Sequence, residues 1–476
     1  MLDLPKKVRK AVRPEHVKVA ISLGNGDYIY TTHDRIRGHV SVMASQDTDF
    51  DDIAITLNGV ATIAIERPYE TPAGLSHQLE ASHSFLRLRQ SDLEHHYPDN
   101  NTFRAGSEYT FPFNFVVPDR LTDSACRHAA LTDGVRDAHL SLPPSFSDDG
   151  QKKLKRQDTG SSNLAKTEYI IAARITKTET THASTKDVKI ASQEREVTII
   201  PTSRIAKSSK WFSRAEHRLK KTLLGTSYGT LVMEAERPDT IALNQSGRIA
   251  NKLTTTVVML RFEPTPGSSQ KPRLGKILAG LKATTEFSTK ARSGLPSEQG
   301  SQLGHFDRVH RETFASASRT VSNVKWCGGD ASEEETRSKI SIVNPCDLPP
   351  SRTDTSWTPS PSSTYEPGRP YHLARIVVPI ELPEQGAVAP TFHSCLISRF
   401  YSLKVSLSLG SANRSISMSL PAHVATTPPD CGLRLSGRSS IVSGATAVAS
   451  ETATDQFLHA TALPDEDALP KYTSLP

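Results

Sequence analysis

Cysteine is scarce in this chain. The five that occur, Cys126, Cys327, Cys346, Cys395 and Cys431, are scattered, odd in number and contain no C-x-x-C pair. Such spacing argues against a disulfide framework or a zinc site and favours reduced thiols in a cytosolic compartment. Long apolar runs are also missing: no window approaches the roughly 18 residues a membrane-crossing helix needs. Met1 to Pro14 carries five Lys or Arg residues and no apolar stretch, so no secretory signal is expected there. Charge of one sign is in short supply too. The net excess is +6, too small for a nucleic-acid-binding footprint, although local basic clusters could favour an anionic membrane surface. The chain holds no P-loop, no G-x-G-x-x-G and no H-E-x-x-H. Hydrophobic residues make up only 36% beside 31 Pro and 26 Gly, which predicts ordered cores diluted by loops and tails. A length of 476 residues predicts two domains plus flexible segments.

What the sequence does contain is alternation of period two, the mark of a sheet with one buried face. Val17, Val19, Ile21 and Leu23 alternate with smaller or polar residues, as do Tyr169, Ile171, Ala173 and Ile175. Val197–Ile200, Val257–Phe262 and Ala374–Ile380 read as further strands, and Ile416, Met418 and Leu420 as another. Leu403, Val405, Leu407 and Leu409 give the strictest pattern in the chain. Ile53, Ile55 and Leu57 precede Asn58-Gly59, a dipeptide that predicts a hairpin turn. Many short strands with little helix predict an all-β protein of two consecutive antiparallel β-sandwiches. The expected boundaries are 16–205 and 226–424, with a basic segment at 1–15 and a linker at 206–225. Residues 151–164, an insertion at about 328–370 and a tail at 425–476 read as poorly ordered. In the linker, Trp211, Ala215, Leu219 and Leu223 recur at i+4 among basic residues, which predicts an amphipathic helix.

Several phrases of the sequence carry a resemblance when taken in order. Tyr109-Thr110-Phe111-Pro112-Phe113-Asn114-Phe115 is similar to a strand of arrestin N-terminal domains, and Leu142-Pro143-Pro144-Ser145-Phe146 to a loop of the fungal members. Gly38-His39-Val40 with Leu57-Asn58-Gly59-Val60 resembles their early strand pair. In the second half, Val378-Pro379-Ile380 followed by Pro390-Thr391-Phe392-His393-Ser394-Cys395-Leu396-Ile397-Ser398-Arg399 resembles the C-terminal domain of filamentous-fungal α-arrestins. The resemblance implies immunoglobulin-like sandwiches and a non-enzymatic adaptor. It leaves unplaced the opposed buried charges that join the two domains of visual and β-arrestins, so phosphate-triggered activation is not expected.

Four motifs bear on function. Leu469-Pro470-Lys471-Tyr472 fits the [LP]PxY form that WW domains bind, with Leu469, Pro470 and Tyr472 as the contacts. Chance in a Pro-rich tail is the competing reading; the family resemblance implies recruitment of a WW-domain HECT ubiquitin ligase. Arg214, Arg218, Lys220 and Lys221 would face an anionic membrane if the linker helix lay on one. A connector packed on a sandwich edge is the favoured reading. Gly225-Thr226-Ser227-Tyr228-Gly229 matches G-x-S-x-G, but it lies between a helical pattern and a strand, the reverse of a nucleophile elbow. His77, His83, His95 and His96 read as solvent-exposed, while His393 and Cys395 read as structural positions of a strand. No active site, metal or cofactor is expected.

The resemblance therefore implies an adaptor that links cytoplasmic tails of plasma-membrane transporters or receptors to the ligase for ubiquitin-dependent endocytosis and sorting. Such a protein would be cytoplasmic and peripherally recruited to plasma membrane or endosomes. The alternative is an arrestin-fold trafficking or pH-signalling scaffold without a ligase.

Overall fold

A computed structural model describes residues 16–427 apart from 27, 69–75, 150–163, 182–183, 203–211, 221–225, 245–253, 269, 297–305, 330–356, 381–387 and 411–413; it also describes 461–462 and 471–473. The architecture is all-β, as two antiparallel sandwiches in series.

In the first sandwich a three-stranded sheet pairs β1 (Val17–Leu23), β3 (Arg35–Ala44) and β8 (Glu108–Val116). The opposing sheet runs β2 (Ile29–Tyr30), β11 (Ser184–Ile199), β10 (Leu164–Thr181), β5 (Asp52–Pro68), β6 (Ser76–Arg89). β9 (Phe146–Asp149) adds to β10, and β4 (Thr48–Asp49) pairs β7 (Thr102–Phe103). The alternation translates directly into burial: Tyr169, Ile171, Ala173 and Ile175 of β10 are all fully buried. Phe111, Phe113 and Phe115 of β8 meet them from the other sheet. Pro112, which has no N–H to give, is tolerated because β8 is an edge strand.

The second sandwich has a sheet of β12 (Phe212–Lys220), β13 (Ser227–Glu236), β15 (Thr254–Pro264), β19 (Tyr371–Ile380) and β18 (Cys327–Gly329). Opposite lie β17 (Asp307–Thr320), β16 (Leu274–Ser288), β21 (Ile397–Leu409) and β20 (Phe392–His393), with β22 (Arg414–Ala422) on β21. The parallel pair β14 (Ile241–Leu243) and β23 (Val424–Thr426) closes the domain, carrying its end slightly past residue 424. β24 (Thr461–Ala462) and β25 (Lys471–Thr473) pair with β6; the rest of the expected tail lies outside the described residues. Residues 1–15 lie outside them as well, as do almost all of 151–164.

Three sequence expectations are corrected. Asn58-Gly59 is not a turn: β5 runs through it, pairing Asn58 with Arg87 on one side and Ile170 on the other. The glycine answers to packing. A β-bulge shifts the register beside Phe85, whose ring lies so close that a Cβ on Gly59 would sit 2.4 Å from it. The linker helix is instead strand β12, hydrogen-bonded along its length to β13. A spacing of four is an even number, so Ala215 and Leu219 also share one face of a strand, and that face is what packs on the core. Cys395 does not lie in a strand but in the tight turn Ser394–Ile397 between β20 and β21, where Ser394 N–H donates to the Ile397 carbonyl at 2.8 Å.

The expected insertion is partly packed. Residues 330–356 lie outside the described set, but Trp357 meets Phe212 edge-on at 5.1 Å and Ser362 N–H donates to Glu263 at 3.0 Å. The reason is Arg261, fully buried in β15. A buried guanidinium must be paired. Glu263 binds it at 2.7 Å, and the rings of Tyr365 and Tyr371 cover it at 4.6 and 4.0 Å. The Ser/Thr/Pro composition hid aromatics that fold this segment onto the sheet.

Leu407 of β21 tests the second core. It is fully buried between Ile277 and Ile416. Leu407→Asp is expected to cost at least about 3 kcal/mol, because an unpaired carboxylate is forced into an apolar layer. An unchanged denaturation midpoint would contradict this placement.

Candidate functional site: the junction of the two sandwiches

The cores of the two domains are not closed off from each other. Phe287, Phe392, Cys395, Leu396 and Ile397 come from the second domain yet belong to the apolar cluster of the first. Phe287 comes from the end of β16 and the other four from β20 and the turn into β21, and the irregular stretch 117–142 of the first domain lies against that turn. That stretch contains the one α-helix among the described residues, α1 (Asp133–His139), started by Thr132, whose side chain accepts from Val135 N–H. Leu131 N–H donates to the Ser293 carbonyl across the junction at 2.8 Å.

Two of the phrases behind the family resemblance meet here. Phe146, last residue of the Leu142–Phe146 loop, packs edge-on against Phe392 at 5.5 Å, and Arg399 lies over the Phe146 ring at 5.3 Å. The loop itself is pinned to β11: Ser145 N–H donates to the Ile199 carbonyl at 2.7 Å, and Ile199 N–H donates to Ser145 Oγ at 2.9 Å.

Charge is concentrated on the second-domain side. Arg399 is buried, donates to Thr285 Oγ1 at 2.7 Å and to the Tyr401 hydroxyl at 3.0 Å, and pairs with Glu312 at 3.2 Å. Arg292 pairs with Glu286 at 2.7 Å and reaches Asp307 at 3.7 Å. His310 and Asp148 cross between the domains at 2.9 Å. The arginine pairs lie within the second domain; of these contacts it is His310–Asp148 that crosses the junction, with His310 partly exposed.

Beneath them four further side chains converge. Cys126 follows a single 3-10 turn, His128 is two residues on, His139 ends α1, and Cys395 enters from the second domain. Cys126 Sγ lies 3.3 Å from His128 Nε2 and 3.8 Å from His139 Nδ1, and all four potential ligand atoms lie within 4.8 Å of one another. The Cys395 thiol donates to the Ala125 carbonyl at 3.8 Å. Burial lowers the His139 and neighbouring His393 pKa values to about 4 and raises that of the Cys395 thiol. A search for C-x-x-C pairs misses such a set. Its only local trace is the one-residue spacing of Cys126 and His128, and the fourth donor is distant in sequence.

The residues singled out from sequence fare differently. Leu469 and Pro470 lie outside the described residues, and Tyr472 is described only as the centre of β25, opposite Ala81. Of the basic set, Lys221 lies outside. Arg214 donates to the Ser360 carbonyl at 2.8 Å and pairs with Glu216, so it is engaged with the packed insertion. Arg218 and Lys220 are exposed on the edge strand. With no helix there, the membrane-surface reading loses the geometry that motivated it. Ser227 opens β13, with strand β12 rather than a helical segment as the element before it, and its hydroxyl donates to the Leu219 carbonyl at 3.0 Å. His95 and His96 are exposed as expected, but His83 is buried beneath the 123–128 loop. Among the described residues no helix is long and apolar enough to cross a membrane.

A family comparison coincides with the first sandwich. Residues 19–205 match the family described as "Arrestin (or S-antigen), N-terminal domain". Over that span the first domain is similar to an arrestin N-terminal domain. The matched span begins in β1 and ends just beyond β11, so the sheet pair and the junction loop 117–142 lie within it. The second sandwich lies beyond the matched span. No curated protein matches the chain.

Leu396, fully buried at the junction, tests whether the arrestin-like domain and its neighbour act as one unit. Leu396→Ala is expected to cost about 2–5 kcal/mol. Calorimetry should show one transition for the parent chain and two separated ones for the variant.

Proposed function

We propose that the chain is an α-arrestin-type adaptor, non-enzymatic and cytoplasmic, that links plasma-membrane transporters or receptors to a WW-domain HECT ubiquitin ligase for endocytosis and sorting. The observation that carries this reading is the arrestin N-terminal match over the whole first sandwich, with a second sandwich packed behind it. Leu469-Pro470-Lys471-Tyr472, beyond both domains, supplies the ligase contact. Docking of cargo tails on the core would bring the tail-bound ligase to an effective concentration near cargo lysines that its weak peptide affinity alone could not reach.

A scaffold without a ligase is the second reading, and one observation favours it. The Lys471–Thr473 backbone pairs with Ser82–Glu80, whereas a WW groove takes a polyproline II segment with its backbone unpaired. A three-residue ladder is short enough to exchange for a groove.

The decisive comparison uses the full chain against a WW-domain array. Tyr472→Ala removes the aromatic anchor and is expected to weaken binding about thirtyfold, some 2 kcal/mol, with the core still folded. Lys471→Ala should change little. Equal binding by the parent chain and the Tyr472 variant would remove the ligase contact and leave the scaffold.

A further inference from the structure

We propose that Cys126, His128, His139 and Cys395 form a structural zinc site that staples the arrestin-like domain to the second sandwich. Two thiols and two imidazoles are the donor set of a closed tetrahedral zinc centre. Ligands held at about 2.0–2.3 Å from a tetrahedral metal lie about 3.3–3.8 Å from one another. A sulfur and a nitrogen ligand lie about 3.5–3.6 Å apart in such a site; the two Cys126-to-histidine separations, 3.3 and 3.8 Å, bracket that value, and the full set spans no more than 4.8 Å.

The surroundings fit a ligand set as well. His128 Nδ1 lies 3.1 Å from the Ala129 carbonyl, so that nitrogen carries the proton and Nε2 is left to face the sulfur. Cys395 is held by its turn: Arg292 N–H donates to its carbonyl at 3.0 Å, and Ser394 Oγ accepts from Ile397 N–H at 3.1 Å. Cys126, His139 and Cys395 are buried, while His128 borders an open depression of about 670 Å³ that also exposes Arg127 and Thr132. A metal ion has a way in from the solvent side. A disulfide between the two cysteines would account for the sulfurs alone; it gives no reason for both imidazoles to turn nitrogens toward Cys126.

Binding releases both thiol protons to solvent and forms two Zn–S and two Zn–N bonds, with no change of oxidation state. Two thiolates cancel the charge of the ion, so the buried centre carries no net charge. Three ligands belong to the loop 126–139, which has only one seven-residue helix of its own, and the fourth belongs to the other domain. The metal would hold the loop in shape and set the angle between the sandwiches.

The test is metal content and cobalt substitution on the reduced full-length chain. One zinc per chain by mass spectrometry is expected, and Co²⁺ should give the intense visible absorption of a tetrahedral site with two thiolates. Cys395→Ser and His139→Gln should each weaken Co²⁺ binding by more than the roughly 10–100-fold typical of losing an outer-sphere partner. Chelation should lower the melting temperature of the parent chain and leave that of Cys395→Ser unmoved. If the variants fail to fold, the parent chain decides alone. A folded, reduced parent that takes up neither metal overturns the proposal. So does a Cys126–Cys395 disulfide in a chain that binds no metal after reduction. An unaltered cobalt spectrum in Cys395→Ser overturns the link between domains.

Discussion

The insertion of the Phe392–Ile397 turn into the first domain is the contact on which the arrangement of the protein depends. A turn between two strands ordinarily faces water, because its backbone groups need partners. This one is buried, and several of its backbone groups find partners: Ser394 bonds Ile397 through both side chain and backbone, Ser288 N–H donates to the Leu396 carbonyl at 3.0 Å, and Arg292 N–H donates to the Cys395 carbonyl at 3.0 Å. With these groups paired, the turn can offer Phe392 and Leu396 to the first core as if they were its own. The two sandwiches then share apolar burial, and loosening one exposes surface of the other.

Ionic groups around that plug limit how it can sit. Arg399 needs Thr285, Tyr401 and Glu312 at once, and its plane covers Phe146 from the other domain. A small rotation of the sandwiches would take Phe146 off the guanidinium and part His310 from Asp148. Such buried pairs contribute little net stability against apolar replacements of the same volume, but a misplaced one is costly. The burial of Phe392 and Leu396 supplies the attraction; the ionic pairs select the orientation.

Much of the fold was legible from alternation alone, since each strand has one wet and one dry face. The strands around Val17, Tyr169, Leu260, Ile376 and Leu407 could all be placed that way. What misled were signals with two physical causes. Glycine after asparagine marks a turn in many chains, yet Gly59 is small because Phe85 lies over it. A four-residue repeat suits a helix and equally the inner face of β12. The junction was least legible. Phe146, Asp148, Cys126, His310 and Cys395 meet only after both domains have folded, and nothing in their local spacing announces it.

On the proposed adaptor reading, a plugged junction has a mechanical consequence. Cargo segments that contact both sandwiches would bind a surface whose two halves are already aligned, so little is lost in ordering them. The proposed ligase contact follows the second core in sequence, and its part there would be to raise the local concentration of ligase. The Phe392–Ile397 turn carries most of the second domain's apolar contribution to the core of the first, so a change in the relative orientation of the sandwiches would move it. On the proposed adaptor reading, the junction, rather than either sheet face alone, is therefore the place where a signal would alter cargo binding.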